Sequence, residues 1–402
     1  MGSSGREDSV ALVVAPGLAM IAVTYGLARF AYGLFVPEMA ESFDLSPSVV
    51  GMIGAGSYAG YCVAVVVALI FTSRVGPRLM LIFTGGVAVS GMAAVAGAPA
   101  GWVLAAGILV AGMSSGLASP PMGEAVALSV PGPRRDRANA LINSGTSLGV
   151  AISGPAALLA AEQWRAAWAA FAAIGAGALL WNALAMPRGQ NEKHEVAPRQ
   201  IAGGEVGETP DAPALSPAYL IGRRSMPLFV VAAGMGFASA AYWTFSRDLI
   251  VRVGSLSDTE STLFWTVIGL SGLVGGVAGD LVGRFGLGRA MRGSLLVMVG
   301  AVALLAAAPG VYLLSYASAA LFGASYITLT GIILVWSVAV FPERPSAGLG
   351  AGFLLIALGQ MLGAPVFGMI AVATDLPAAL LASAAVATVT ALVRPGLKPS
   401  RT

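Results

Sequence analysis

A chain of 402 residues is long enough for two or three soluble domains, but only 10% of its residues are charged and 57% are hydrophobic, against roughly 25% charged in an ordinary soluble protein. Its mean hydropathy of +0.84 calls for lipid around much of the surface. The net charge of +3 comes from basic residues scattered between apolar runs, with no lysine run and no aromatic-basic platform, which excludes nucleic acid as a partner.

Apolar stretches of about 20 residues cross a hydrocarbon core of about 30 Å as helices. Met1 to Ser9 is short and polar, and the apolar run after it exceeds a signal-peptide core, so it is expected to persist as the first span. Spans follow near residues 10–33, 47–72, 79–99, 102–127, 138–160 and 165–186. Pro187 to Gly222 is polar and rich in Pro and Gly, which reads as a linker. Six further spans lie near 225–246, 261–283, 291–310, 312–340, 347–370 and 376–393. The expectation is an all-α integral membrane protein of twelve transmembrane helices, with halves at 1–186 and 223–402 joined by 187–222.

With both termini on the cytoplasmic side, eighteen Lys and Arg residues fall in cytoplasmic segments, and only Arg165, Arg247 and Arg252 fall outside. That asymmetry fits the positive-inside rule. The two halves correspond at an offset near 210 residues: Arg74-Val75-Gly76 with Arg284-Phe285-Gly286, Gly149 with Gly359, and Gly154-Pro155 with Ala364-Pro365. Two parallel six-helix repeats suit alternating access, in which similar halves rock about a midplane site.

These features resemble the major facilitator superfamily over essentially the whole chain. That family carries Gly-x-Leu-Ala-Asp-Arg-x-Gly-Arg-Lys between its second and third helices. Here the first copy keeps Arg74, Gly76 and Arg78 but has Ser73 at the acidic position, and the second keeps Arg284 and Gly286 but has Gly283 there. The departure affects the family's charge latch rather than its fold, and Asp280 stands one turn earlier. Gly26-Leu27-Ala28-Arg29-Phe30-Ala31-Tyr32-Gly33 is similar to the first helix of bacterial YbfB/YjiJ-type major facilitators. Gly154-Pro155 resembles the centre of a signature found in exporters of the superfamily. The resemblance implies a secondary transporter in the bacterial cytoplasmic (inner) membrane, functional as a monomer among membrane lipids, with its cavity lined chiefly by helices 1, 4, 7 and 10.

Candidate solute-binding residues come from polar or aromatic side chains inside spans. Tyr25, Arg29 and Tyr32 fall at i, i+4 and i+7, one face of a regular α-helix. An intramembrane guanidinium is costly unless paired, hydrated or used, and its fork suits a carboxylate or phosphate; a neighbouring acid or outward snorkelling is the structural alternative. Tyr58, Tyr61, Asn143, Trp243, Tyr326 and Gln360 complete the set, each with helix packing as its ordinary alternative. Glu124, after Pro120-Pro121, and Asp280 are the proton-coupling candidates, with ion pairs to Arg134, Arg135 or Arg137 and to Arg284 as rivals. Arg247 and Asp248 read as a polar cluster at the outer end of helix 7, and Glu38 and Asp44 as solvated loop residues. One cysteine, Cys62, one histidine, His194, and no nucleophile–base cluster speak against an enzyme, a metal site or a cofactor. The reading is a secondary transporter, proton-coupled, of a small amphipathic or anionic organic solute. A proton-driven exporter of hydrophobic compounds, an uncoupled uniporter and a non-transporting receptor are the alternatives.

Overall fold

The computed structural model describes residues 4–160, 163–186 and 221–395; the 187–222 linker lies almost wholly outside them. Every regular element among the described residues is helical, because in lipid a helix satisfies its backbone groups within itself. In chain order they are α1 (Ser4–Ile21), a π-helical segment (Ala22–Leu27), a 3-10 segment (Phe30–Leu34), α2 (Val36–Phe43), α3 (Pro47–Val75), α4 (Pro77–Ala96), α5 (Gly101–Ser129), α6 (Gly132–Leu159) and α7 (Trp164–Ala185). After residue 220 come α8 (Met226–Arg252), α9 (Asp258–Gly272), a second 3-10 segment (Leu273–Val277), α10 (Ala278–Phe285), α11 (Leu287–Ala307), α12 (Tyr312–Val340), α13 (Pro345–Ala373) and α14 (Leu376–Ala391).

Among the described residues nine helices are long and apolar enough to cross a membrane, and Leu12–Leu27 and Leu376–Ala391 are shorter apolar helices. The twelve expected spans therefore exceed those that qualify by length and composition. α6 misses because Asn139, Asn143, Ser144, Thr146 and Ser147 dilute its apolar character, and the first span misses because its helix breaks.

Local chemistry sets several ends. Ser46 caps α3, Asp375 caps α14, and Ser257 with Glu260 forms a full capping box on α9, each satisfying amides that lack intrahelical partners. Gly76 and Gly286 join consecutive helices in the same left-handed geometry, φ +88° and ψ 153° against φ +79° and ψ 151°. A side chain disfavours that region, so both copies of the Arg-x-Gly motif end in a glycine for one backbone reason.

In packing, α3 and α4 lie against α5, and α4 against α7; α8 lies against α13 and α14, and α11 against α12 and α14. The most extensive contacts between the residues before 187 and those after 220 are α3 with α13 and α6 with α9; α2 and the first 3-10 segment also pack on α8. Gly51 meets the carbonyl of Ala364, Gly368 meets Pro47, and Gly269 meets Val150 and Ala151, all by backbone approach. These contacts favour the end of the bundle that carries Glu38, Asp258 and Asp375, hereafter the acidic end. At the opposite, arginine-rich end, Gly276, Gly279 and Gly283 face open space. Large apolar side chains such as Leu69, Phe83, Leu180, Leu313 and Val389 are exposed around the exterior, the surface a bilayer covers.

Candidate functional site

The first span is not the regular helix that its spacing predicts. α-Helical geometry ends at Ile21, continues as a π-helix to Leu27, turns at Ala28 and Arg29, and resumes as a 3-10 helix from Phe30 to Leu34. Close packing accompanies the break: Gly26 touches the Gly149 backbone of α6, and Gly33 touches the Trp243 carbonyl of α8. Tyr25, Arg29 and Tyr32 therefore do not share the face expected of them. The Tyr25 hydroxyl pairs with Ser119 of α5 at 2.8 Å, whereas the Tyr32 hydroxyl donates to the Val50 carbonyl at 3.0 Å.

Arg29 sits at the break and is only 7% exposed. Its Nη2 donates to Gln360 Oε1 of α13 at 3.0 Å, while Nε has no hydrogen-bond partner among the described residues. No carboxylate among them pairs with it either. Aromatic faces surround the guanidinium instead: its carbon lies 4.2 Å from the Tyr61 ring centroid, 5.1 Å from Tyr58, 5.2 Å from Phe30 and 5.7 Å from Tyr25. A cation over a ring is stabilised by about 0.5–2 kcal/mol, which offsets part of the desolvation cost and leaves the charge intact. Among the described residues Arg29 thus has neither the acidic partner nor the outward snorkel of the structural alternative.

Gln360 is fully buried and extends the network. Its Nε2 donates to the Tyr326 hydroxyl at 3.1 Å and, at 3.5 Å, to Ser239 Oγ of α8. Trp243 stacks on Phe30 with centroids 4.3 Å apart and meets Tyr326 edge-on at 5.2 Å. A cavity of about 10 Å³ lies between Arg29, Tyr58 and Trp243, room for about one water, so a larger solute requires these rings to move.

Of the sequence-selected residues, Tyr25, Arg29, Tyr58, Tyr61, Trp243, Tyr326 and Gln360 converge here from the broken helix, α3, α8, α12 and α13. Tyr32 borders the cavity through its ring. Asn143 is exposed on α6 and takes no part in the network. Sequence reasoning missed Phe30, Ser119 and Ser239; only Phe30, beside Arg29 in the motif, carried a signal.

The acids are placed differently from expectation. Glu124 is half-buried on α5 and forms no ion pair among the described residues. Asp280 is exposed on α10 and does not pair with Arg284, which lies over the Phe285 ring at 5.5 Å; exposure removes the incentive to pair. Glu38 is not a solvated loop residue. It lies on α2 and receives both contacts from Arg247 Nη1, at 2.5 and 2.7 Å. Arg247, 2% exposed, also donates to the Leu34 carbonyl, to Asp258 at 3.2 Å and to Ser261 at 3.1 Å, while Asp248 pairs with Arg252 at 2.6 Å. The cluster expected at the end of helix 7 exists, and it ties α8 to the first span and to α9. A cavity of about 110 Å³ beside it is bordered by Glu38, Arg247, Asp258 and Thr262.

Among the motif residues, Arg78 donates to the Ala183 carbonyl at the end of α7, and Arg74 is exposed over Phe71. Gly154 lets α6 approach Thr262 and Thr266 of α9, and Pro155 follows within α6.

A multi-pass, all-helical chain with a polar and aromatic cluster buried between two sets of helices, and no chemically reactive centre among its described residues, has the construction of a membrane transporter. Residues 18–364 match the Major Facilitator Superfamily, and the chain belongs to that family. It is a secondary-active transporter of small solutes, not an enzyme. Among solved structures it is similar to the nucleoside transporter NupG, with a TM-score of 0.73 and 12% identity over 95% of this chain and 97% of that one. It is likewise similar to a bacterial homologue of the human lysosomal transporter Spinster in an inward-facing, occupied conformation, with a TM-score of 0.72 and 14% identity over 97% of this chain and 96% of that one. At these identities the likeness is one of fold. No curated protein matches the chain.

Proposed function

We propose that the protein carries a small organic anion with an apolar body across a bacterial cytoplasmic membrane by alternating access. The observation that carries this reading is Arg29: a buried guanidinium, held by a neutral amide and aromatic rings, with no described carboxylate to neutralise it. An uncompensated cation in a span costs about 3 kcal/mol or more, and an anionic solute recovers part of that cost on binding. The neighbouring Phe30, Trp243 and Tyr326 rings suit an apolar or aromatic body. The same rings favour a second reading, export of neutral amphipathic compounds, in which Arg29 only organises the cage.

In this proposal the chain makes twelve spans, residues 1–186 and 223–402 form the rocking halves, 187–222 tethers them, both termini are cytoplasmic, and a single subunit suffices. The matching geometry at Gly76 and Gly286, together with the arginine asymmetry, supports that arrangement. The Gly26–Gly33 segment supports membership of the YbfB/YjiJ-type group. Protons drive the cycle through Glu124, whose half-buried carboxylate lacks a described ion pair; Asp280, being exposed, is the weaker candidate. The test is uptake and counterflow of radiolabelled organic anions in reconstituted vesicles. Saturable flux abolished by Arg29→Gln, with the variant still monodisperse, is the expected result. Flux of neutral amphipaths that ignores Arg29→Gln would move the assignment to the second reading.

A further inference from the structure

Arg29 and Gln360 are 331 positions apart and meet in the middle of the protein at 3.0 Å. Arginine offers only donors, so the amide oxygen of Gln360 must face it, and the amide nitrogen must then point to Tyr326 and Ser239, as the 3.1 and 3.5 Å contacts require. The orientation of the amide is thereby fixed by its partners. A carboxylate has nearly the same shape as this amide. One of its oxygens would accept from Arg29, and the other would accept from the Tyr326 hydroxyl, which can turn to donate; the Ser239 hydroxyl already donates to the Gly236 carbonyl at 2.9 Å. Position 360 therefore accommodates Gln and Glu alike in volume and in the bonds to Arg29 and Tyr326, and the chief difference is charge: Glu would cancel that of Arg29, and Gln does not.

We propose that Gln360 determines the charge of the transported solute. It meets the guanidinium without neutralising it, so the site selects a single carboxylate over the matching uncharged molecule. The inference rests on the organic-anion reading of Arg29 and assigns to another helix the residue that makes that reading possible. Ring faces occupy the space above the guanidinium, with Tyr61 at 4.2 Å and Tyr58 at 5.1 Å, so the carboxylate approaches in the plane of the fork, where Nε lacks a described partner. A planar carboxylate suits that approach, and the adjoining Trp243 and Phe30 rings favour an aryl or aliphatic body behind it.

The experiment uses the full chain purified in detergent, with thermal-shift titrations of acetate, hexanoate, benzoate, phenylacetate and indole-3-acetate, each against its primary amide. In the wild type at least one carboxylate is expected to bind tenfold or more tightly than its amide. Gln360→Glu is expected to reduce that carboxylate's affinity at least tenfold and leave the amide's unchanged, and Gln360→Leu, which removes the amide without adding charge, to retain the carboxylate preference. An infrared difference spectrum of Gln360→Glu against wild type is expected to show an ionised carboxylate band. A carboxylate preference that survives Gln360→Glu but disappears in Arg29→Gln would overturn the role of Gln360 and leave the anion reading standing. Loss of the preference in Gln360→Leu, or a protonated-acid band at neutral pH in the Glu variant, would also overturn it. Absence of any carboxylate preference in the wild type, or its persistence in Arg29→Gln, would remove the anion reading and this inference with it. Should the Glu variant not be monodisperse, Gln360→Asp, which adds the same charge on a shorter side chain, takes its place with the same expected and overturning results.

Discussion

A guanidinium placed among phenol rings keeps its charge and loses its water. Arg29 is in that condition, 4.2 Å from the Tyr61 ring and hydrogen-bonded only to Gln360 among the described residues. Lysine at this position would keep the charge but lose the planar fork. Arg29→Lys is therefore expected to weaken anion binding by roughly ten- to a hundred-fold, the loss of one charge-assisted hydrogen bond at about 1.5–3 kcal/mol, without abolishing it; direct binding isotherms against wild type check this. Glu124 yields a separate residue-scale prediction. Glu124→Gln is expected to leave solute binding and counterflow intact while removing accumulation driven by an imposed pH gradient, and accumulation undiminished in the variant would transfer coupling elsewhere. The composition of this cluster was readable from polar and aromatic residues interrupting apolar runs. Its pairings were not, because each joins helices far apart in sequence.

At the scale of elements, the first span shows what periodicity misses. Spacing alone put Tyr25, Arg29 and Tyr32 on one helical face, and the spacing is real, but the backbone passes through π, turn and 3-10 geometry between them. The change accompanies two backbone contacts, Gly26 with Gly149 and Gly33 with Trp243, that no local pattern encodes. A methyl group at Gly26 would meet the α6 backbone, which cannot move aside as a flexible side chain could. Gly26→Ala is accordingly expected to destabilise the protein by about 1–3 kcal/mol and to weaken solute binding by displacing Arg29, whereas alanine at Gly86, which faces open space, should do neither; parallel thermal and binding measurements separate the two. The 3-10 segment Leu273–Val277 interrupts the eighth predicted span in a similar way, within a run crowded with glycines.

For the whole molecule, the decisive asymmetry lies between the two ends. The acidic end is closed by glycine-mediated contacts of α3 with α13 and α6 with α9, and by Arg247 reaching across to Glu38 and Leu34. The arginine-rich end leaves Gly276, Gly279 and Gly283 against open space. If the acidic end faces outward, as proposed, the protein stands closed to the outside. Glu38→Gln removes one of the two carboxylates that compensate the buried Arg247, leaving only Asp258 at 3.2 Å, and in a two-state carrier that loss shifts the balance toward the other state. Glu38→Gln is expected to favour the state open at the acidic end. The readout is maleimide labelling of Thr262→Cys in a Cys62→Ser background, buried at the edge of the Glu38–Arg247 cavity: labelling several-fold faster with Glu38→Gln supports the latch, and an unchanged rate argues against it.

The sequence by itself determined that this chain is helical and membrane-embedded, roughly where its helices run, where its basic residues gather, and which polar side chains lie inside spans. Those properties are recorded locally, in composition, run length and repeat spacing. Only the tertiary structure decided that the first span breaks at Arg29, that Gln360 rather than an acid meets it, and that Glu38, partly shielded from solvent, pairs with Arg247 across 209 positions of sequence. Each outcome depends on which backbones approach closely enough to exclude water, and that is settled by the packing of distant helices rather than by any residue's neighbours in the chain.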